Sequence, residues 1–94
     1  MTNDIHRIHA IIHGIVQGVG FRYHTQVMAQ RLGAVGWVRN LPDGTVEVVA
    51  EGSKKTLEQL ADFLQHGPPH AVVRKVDLRW SEPTLEYDQF TVKR

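Results

Sequence analysis

The chain of 94 residues predicts an α+β domain. Two helices are expected on one face of a four- or five-stranded antiparallel sheet. The first observation behind this is periodicity: apolar residues alternate in several short segments and fall at helical spacing in two longer ones. The second is order, since these segments follow one another as β-α-β-β-α-β. The third is punctuation, because glycine or proline marks most junctions between them.

Ile8, Ala10 and Ile12 alternate with Arg7, His9 and Ile11, a half-buried first strand of about seven residues. The glycine-rich stretch HGIVQGVGFRYH, His13 to His24, ends it. From Phe21 to Leu32 the spacing changes. Phe21, Thr25, Met28, Ala29 and Leu32 share one helical face, and Gly33 stands where helices commonly stop. AVGWVRN is a second strand, with Trp37 and Val38 on opposite faces. LPDG is a turn, in which Pro42 presets its own φ and Gly44 accepts φ > 0. TVEVVAE is a third strand, with Val46, Val48 and Ala50 inward, and the short loop makes the two strands a hairpin.

Ser53 is a good N-cap for a second helix with the stripe Leu57, Leu60, Ala61 and Leu64. HGPPH ends that helix. VRKVDLRW returns to alternation, with Val76, Leu78 and Trp80 on one face. After a polar loop around Pro83, FTVKR forms a short last strand using Phe90 and Val92. The order fits the ferredoxin-like split βαβ arrangement, with right-handed crossovers. The first and second strands are expected near each other, with the third on the far side of the first.

Length makes residues 1–94 a single domain. The absence of cysteine excludes disulfides, thiolate metal sites and a cysteine nucleophile. The N-terminal MTNDIHRIHA is not a signal peptide, and no apolar run approaches the ~20 residues of a membrane helix. A soluble, cytoplasmic protein is expected. A net charge of +1 gives no support for nucleic-acid or membrane binding, so any anion site should be local.

The fold hosts many functions, so the site must decide. Gly18 and Gly20 leave the backbone between strand and helix free to curl. Val19 and Phe21 alternate with them and can anchor the loop. Such a loop can aim successive N–H groups into one concavity, and the following helix adds unpaired N–H groups and its positive dipole end. Arg22 would supply a planar fork matching two phosphate oxygens. The other reading is a tight turn with a solvated Arg22. A cation at a helix N-terminus costs roughly 0.3–1 kcal/mol, which favours a missing anion. The spacing is neither that of a P-loop nor that of a dinucleotide fingerprint. Asn40 ends the second strand; it either helps the turn or orients a water at the same pocket.

Six histidines raise a metal site, and none is expected. His9 and His13 share a face but lie ~13 Å apart, and His6 and His9 face opposite sides. His24 is expected as a partly solvated helix residue near the pocket rim, and Thr25 as a packing residue. Trp37 and Trp80 read as core or sheet-surface aromatics.

The paired motifs closely resemble the acylphosphatase family. The loop signature is matched by Gly14, Val16, Gln17, Gly18, Val19, Phe21 and Arg22. The strand-turn signature is matched by Gly36, Trp37, Val38, Asn40, Asp43, Gly44 and Val46, and the terminal pattern by Phe90 and Val92. The resemblance covers essentially the whole chain. It implies hydrolysis of small carboxyl-phosphate anhydrides to a carboxylate and inorganic phosphate. It implies phosphoryl binding by the loop of Gln17, Gly18, Val19, Gly20, Phe21 and Arg22, with the Arg22 side chain included. Asn40 is implied to position the attacking water, with no metal, cofactor or phosphoenzyme. Inorganic phosphate or sulfate would compete, and a monomer suffices. Gly20 and Leu41 stand where some members carry larger or hydroxyl residues. These departures bear on loop mobility or rate.

Two other functions share the fold. An RNA-binding module needs stacking aromatics on the central strands, and TVEVVAE has none. A phosphate-binding regulatory protein would keep the loop without turnover; retention of both Arg22 and Asn40 argues against it. A similar loop occurs in hydrogenase-maturation carbamoyltransferases, which are far longer chains. A fragment of one is not expected, since this chain ends at its last strand.

Overall fold

The computed structural model describes residues 4–94; Met1 to Asn3 of the N-terminal stretch lie outside the described residues. The order is β1 (Ile5–Ile15), α1 (Phe21–Leu32), β2 (Val35–Asn40), β3 (Val46–Ser53), α2 (Lys54–His66), β4 (Val72–Ser81) and β5 (Phe90–Val92). Both helices take the expected stripes inward. Phe21, Thr25 and Ala29 are buried on α1, and Leu57, Leu60 and Leu64 on α2. They meet Ile8, Ala10 and Ile12 of β1 and Val46, Val48 and Ala50 of β3 in one core. Full burial of each such leucine or isoleucine is worth about 1.5–3 kcal/mol. Gly33 caps α1 with its amide on Ala29 and Gln30 carbonyls. The Ser53 side chain accepts the Thr56 amide at 3.1 Å, so both helix boundaries fall where capping chemistry places them.

Three expectations change. β1 has eleven residues rather than about seven, because it pairs along both edges, with β3 and with β4. Its ladder then runs past the last alternating residue, with an irregularity between His13 and Gly14. The sheet order is β4-β1-β3-β2-β5. β3 therefore lies between β1 and β2, not on the far side of β1, since the β2–β3 hairpin inserts its second strand beside β1. The sheet is five-stranded and mixed rather than antiparallel. The 82–89 segment returns the chain from β4 to the opposite edge, where β5 runs parallel to β2.

That return is tied down by a buried carboxylate. Glu51 is 1% exposed. It accepts Arg7 Nη1 at 2.8 Å, the Thr84 amide at 2.8 Å, the Thr84 hydroxyl at 3.0 Å and the Leu85 amide at 3.0 Å. Leu85 has φ 61°, a conformation that costs a leucine energy, and the carboxylate holds its amide there. Burial alone pushes the Glu51 carboxyl up, but hydrogen bonds from Thr84, Arg7 and Leu85 outweigh it and hold the carboxyl below its usual range. A depressed folded value stabilises the fold above the unfolded glutamate value of about 4.3. That contribution is lost as pH falls through the folded value. Glu51→Gln is expected to cost about 3 kcal/mol near neutral pH, because it strands a partly buried arginine and sets an NH2 group against other donors. Its stability should also fall less steeply than that of the wild type below about pH 4.5. Urea titrations at several pH values measure both; parallel curves would contradict the assignment.

Gly36 is a second fixed point. Its φ is 136°, and a Cβ there would lie 2.0 Å from the Val49 carbonyl oxygen of the neighbouring strand. Gly36→Ala is expected to destabilise by about 3 kcal/mol or more, since backbone on both strands would have to move. An unchanged thermal midpoint would refute this.

Candidate active site

The C-terminal ends of β1, β2 and β5 and the N-terminus of α1 converge on one end of the sheet. A cavity of about 270 Å³ opens there, lined by Val16, Gly18, Gly20, Phe21, Arg22, Tyr23, Gln26, Asn40, Val92 and Arg94. That is just below the roughly 300–1,000 Å³ typical of pockets for drug-sized ligands, so it suits a small molecule. Of the residues expected to bind phosphate, Gly18, Gly20, Phe21 and Arg22 line it, and Asn40 faces them from β2.

The 16–20 loop is anchored from within. Val16 and Phe21 are buried, and Val19 packs against the core. Gly18 and Gly20 have φ 76° and 80°, where a Cβ would be strained. Gln17 departs from the pocket. Its amide donates at 2.8 Å to the Leu41 carbonyl and at 2.8 Å to the Thr45 carbonyl. Its side chain thus locks the loop to the β2–β3 turn. Val19 also lies outside the cavity lining.

Helix α1 starts without a side-chain cap and without an acidic residue in its first turn. Its first intrahelical bond is from the His24 amide to the Gly20 carbonyl at 3.0 Å. The amides of Phe21, Arg22 and Tyr23 are therefore the free donors of a helix start. The His24 ring bonds the same carbonyl through Nδ1 at 2.9 Å. A carbonyl can only accept, so Nδ1 carries the proton there. His24 is exposed, as expected of a solvated helix residue, but it also steadies the end of the loop.

Asn40 pairs with Val46 at the end of the hairpin ladder, but its side chain makes no hydrogen bond to the turn among the described residues. Leu41 and Thr45 are joined by a backbone bond at 2.9 Å. Asp43 accepts the Thr45 amide at 3.0 Å and the Thr45 hydroxyl at 2.6 Å, which hold its carboxyl below its usual range. Asn40 Oδ1 is buried without a hydrogen-bond partner among the described residues, as is Thr25 Oγ1. A buried polar atom without a partner costs about 1–3 kcal/mol.

No aspartate, glutamate, lysine or histidine lines the cavity. Arg22 and Arg94 form no ion pair among the described residues. The cavity is thus a cationic pocket in a nearly neutral protein. The histidines sit elsewhere. His9 meets Glu47 at 2.7 Å and His13 meets Asp77 at 2.9 Å, each imidazole with its own carboxylate. Trp37 and Trp80 are surface aromatics: the cations of Arg39 and Lys93 lie 5.0 and 4.5 Å from the Trp37 ring centroid, and Trp80 is exposed. Val16, Tyr23, Gln26, Val92 and Arg94 also line the cavity and are not among the residues expected there from sequence. For Val92 and Arg94 the available signal was alternation after Phe90.

Fold and pocket together define a small α+β domain with a pocket free of acidic side chains at a helix N-terminus. The acylphosphatase family model matches residues 8–92. An acylphosphatase of Acaryochloris marina is 48% identical over 94 residues, covering all of both chains. The crystal structure of acylphosphatase from Bacillus subtilis superposes with a TM-score of 0.91 at 32% identity, covering 95% of this chain and 99% of that one. The acylphosphatase structure from Coxiella burnetii gives 0.86 at 40% identity, covering 96% and 94%. The chain belongs to the acylphosphatase family, and acyl-phosphate hydrolysis is the activity that membership carries.

Proposed function

We propose that this pocket hydrolyses small acyl phosphates by direct attack of a water on the phosphoryl group. The observation that carries the reading is the facing of two features across one acid-free cavity: Arg22 beside free helix amides, and Asn40 with an unpartnered buried oxygen. The amides of the 17–22 loop and the Arg22 fork hold the phosphoryl oxygens. Gln17 and Val19 contribute through backbone, with side chains that fix the loop. Asn40 holds the water by its side-chain amide.

The water oxygen bonds to phosphorus while the bond from phosphorus to the carboxyl oxygen breaks. The electron pair leaves with the carboxylate. The proton of the water passes to a phosphoryl oxygen, since no carboxylate or imidazole lines the cavity to take it. A carboxylate is a good leaving group, so positioning and charge stabilisation supply most of the catalysis. No helix of the described residues is long and apolar enough to cross a membrane. An RNA-binding reading is weakened by the helix-free faces of β1 and β3. These present Arg7, His9 and Ile11 beside Glu47, Val49 and Glu51, without a phenylalanine, tyrosine or tryptophan to stack a base.

Hydrolysis of benzoyl phosphate tests the reading. Turnover should persist in EDTA, and millimolar inorganic phosphate or sulfate should compete with substrate. Turnover that vanishes in EDTA and returns with a divalent cation would overturn the mechanism.

A further inference from the structure

Two cations follow one another at the end of β5, and the fold sends them to opposite faces. Gly36 pairs with Phe90, Trp37 with Thr91 and Val38 with Val92. The Lys93 amide donates to the Val38 carbonyl at 2.8 Å, so pairing continues past Val92. Alternation then puts Lys93 on the helix-free face, where its ammonium lies 4.5 Å from the Trp37 ring centroid. The same alternation puts Arg94 on the face of Phe90 and Val92. Continuing the register brings Arg94 level with Asn40, and both line the cavity.

We propose that Arg94 is a second phosphoryl-binding residue, closing the pocket from the end of β5. This rests on the reading of the pocket given above. Neither Arg22 nor Arg94 forms an ion pair with an aspartate or glutamate among the described residues. Two guanidiniums around one small cavity repel each other until an anion enters between them. An attacking water and its leaving group lie roughly in line through phosphorus. A group beside Asn40 is therefore on the water side. From there it reaches the phosphoryl oxygens rather than the departing acyl group.

The experiment pairs calorimetric binding of inorganic phosphate with benzoyl phosphate kinetics for the wild type, Arg94→Gln and Arg94→Lys. Loss of one charge-assisted contact should raise the phosphate Kd about tenfold in Arg94→Gln, and kcat/KM should fall by a similar factor. Arg94→Lys should recover part of both, as a point charge without the fork. The thermal midpoint without phosphate should not fall in either variant. Phosphate Kd unchanged in Arg94→Gln would overturn the proposal, whatever happens to turnover. A wild type that binds phosphate but never hydrolyses benzoyl phosphate would instead sink the hydrolytic reading, while a weakened Arg94→Gln would still uphold this one.

Discussion

Arg22→Lys should abolish most hydrolysis of benzoyl phosphate, with kcat/KM down on the order of a thousandfold or more, and should leave the fold intact. The side chain lines the cavity at the start of α1 and makes no ion pair among the described residues. Its side chain makes no hydrogen bond or ion pair among the described residues that the fold would lose. A cation in the first turn of a helix is instead unfavourable by roughly 0.3–1 kcal/mol. Arg22→Gln should therefore match or slightly exceed the wild-type thermal midpoint while losing activity. Lysine keeps the charge but not the two parallel donors that fit a pair of phosphoryl oxygens, so it should not rescue. Millimolar phosphate should raise the midpoint of the wild type and leave that of both variants nearly unmoved. A Lys variant with wild-type kcat/KM would show that charge alone suffices and that the fork has no role.

Asn40→Ala should lower kcat by about a hundredfold or more, the scale set by a misplaced reacting group. The phosphate inhibition constant should stay within about twofold, because the other anion-binding groups remain. Stability should change little. The turn is held by Asp43, Thr45 and Gln17, and the Asn40 oxygen has no partner to lose. Alanine removes a buried polar atom that lacks a bond, which offsets the lost packing. Asn40→Asp separates positioning from charge. It keeps the size of the side chain but brings an anion towards the phosphoryl group, so it should lose both turnover and phosphate affinity. If Asn40→Ala lowered the melting temperature sharply and kept its specific activity, Asn40 would be a turn residue after all.

The two variants fall on different halves of the problem of reading a site from sequence. Arg22 was legible locally. Its oddity is a clash between a charge and the helix dipole three residues either side, and the glycines that expose the amides are its neighbours. Asn40 was ambiguous locally, because an asparagine before a turn has two ordinary uses. The observations that bear on it come from far away in sequence: Gln17 holds two turn carbonyls, and the Asn40 oxygen is buried without a partner among the described residues. Gln17 itself shows the converse. Its position in the loop suggests a ligand contact, yet its side chain points to the turn carbonyls.

The sequence by itself determined the elements and their inward faces. The stripes on Phe21–Leu32 and Lys54–His66, the alternation of Ile8, Ala10 and Ile12, and the stops at Gly33 and Gly67 follow from periods and caps that act over a few residues. It also determined that a flexible loop would meet a helix start at Arg22. Only the tertiary structure decided which strands are neighbours and in what register. That placed β3 between β1 and β2, made β5 parallel to β2, and buried Glu51 under the 82–89 segment. It also carried Arg94 to the side of Asn40. Strand order and register depend on how distant segments share one core, and no single segment carries that information. HGIVQGVGFRYH therefore shows half of the pocket to a reader of the sequence, and the other half arrives on β2 and β5.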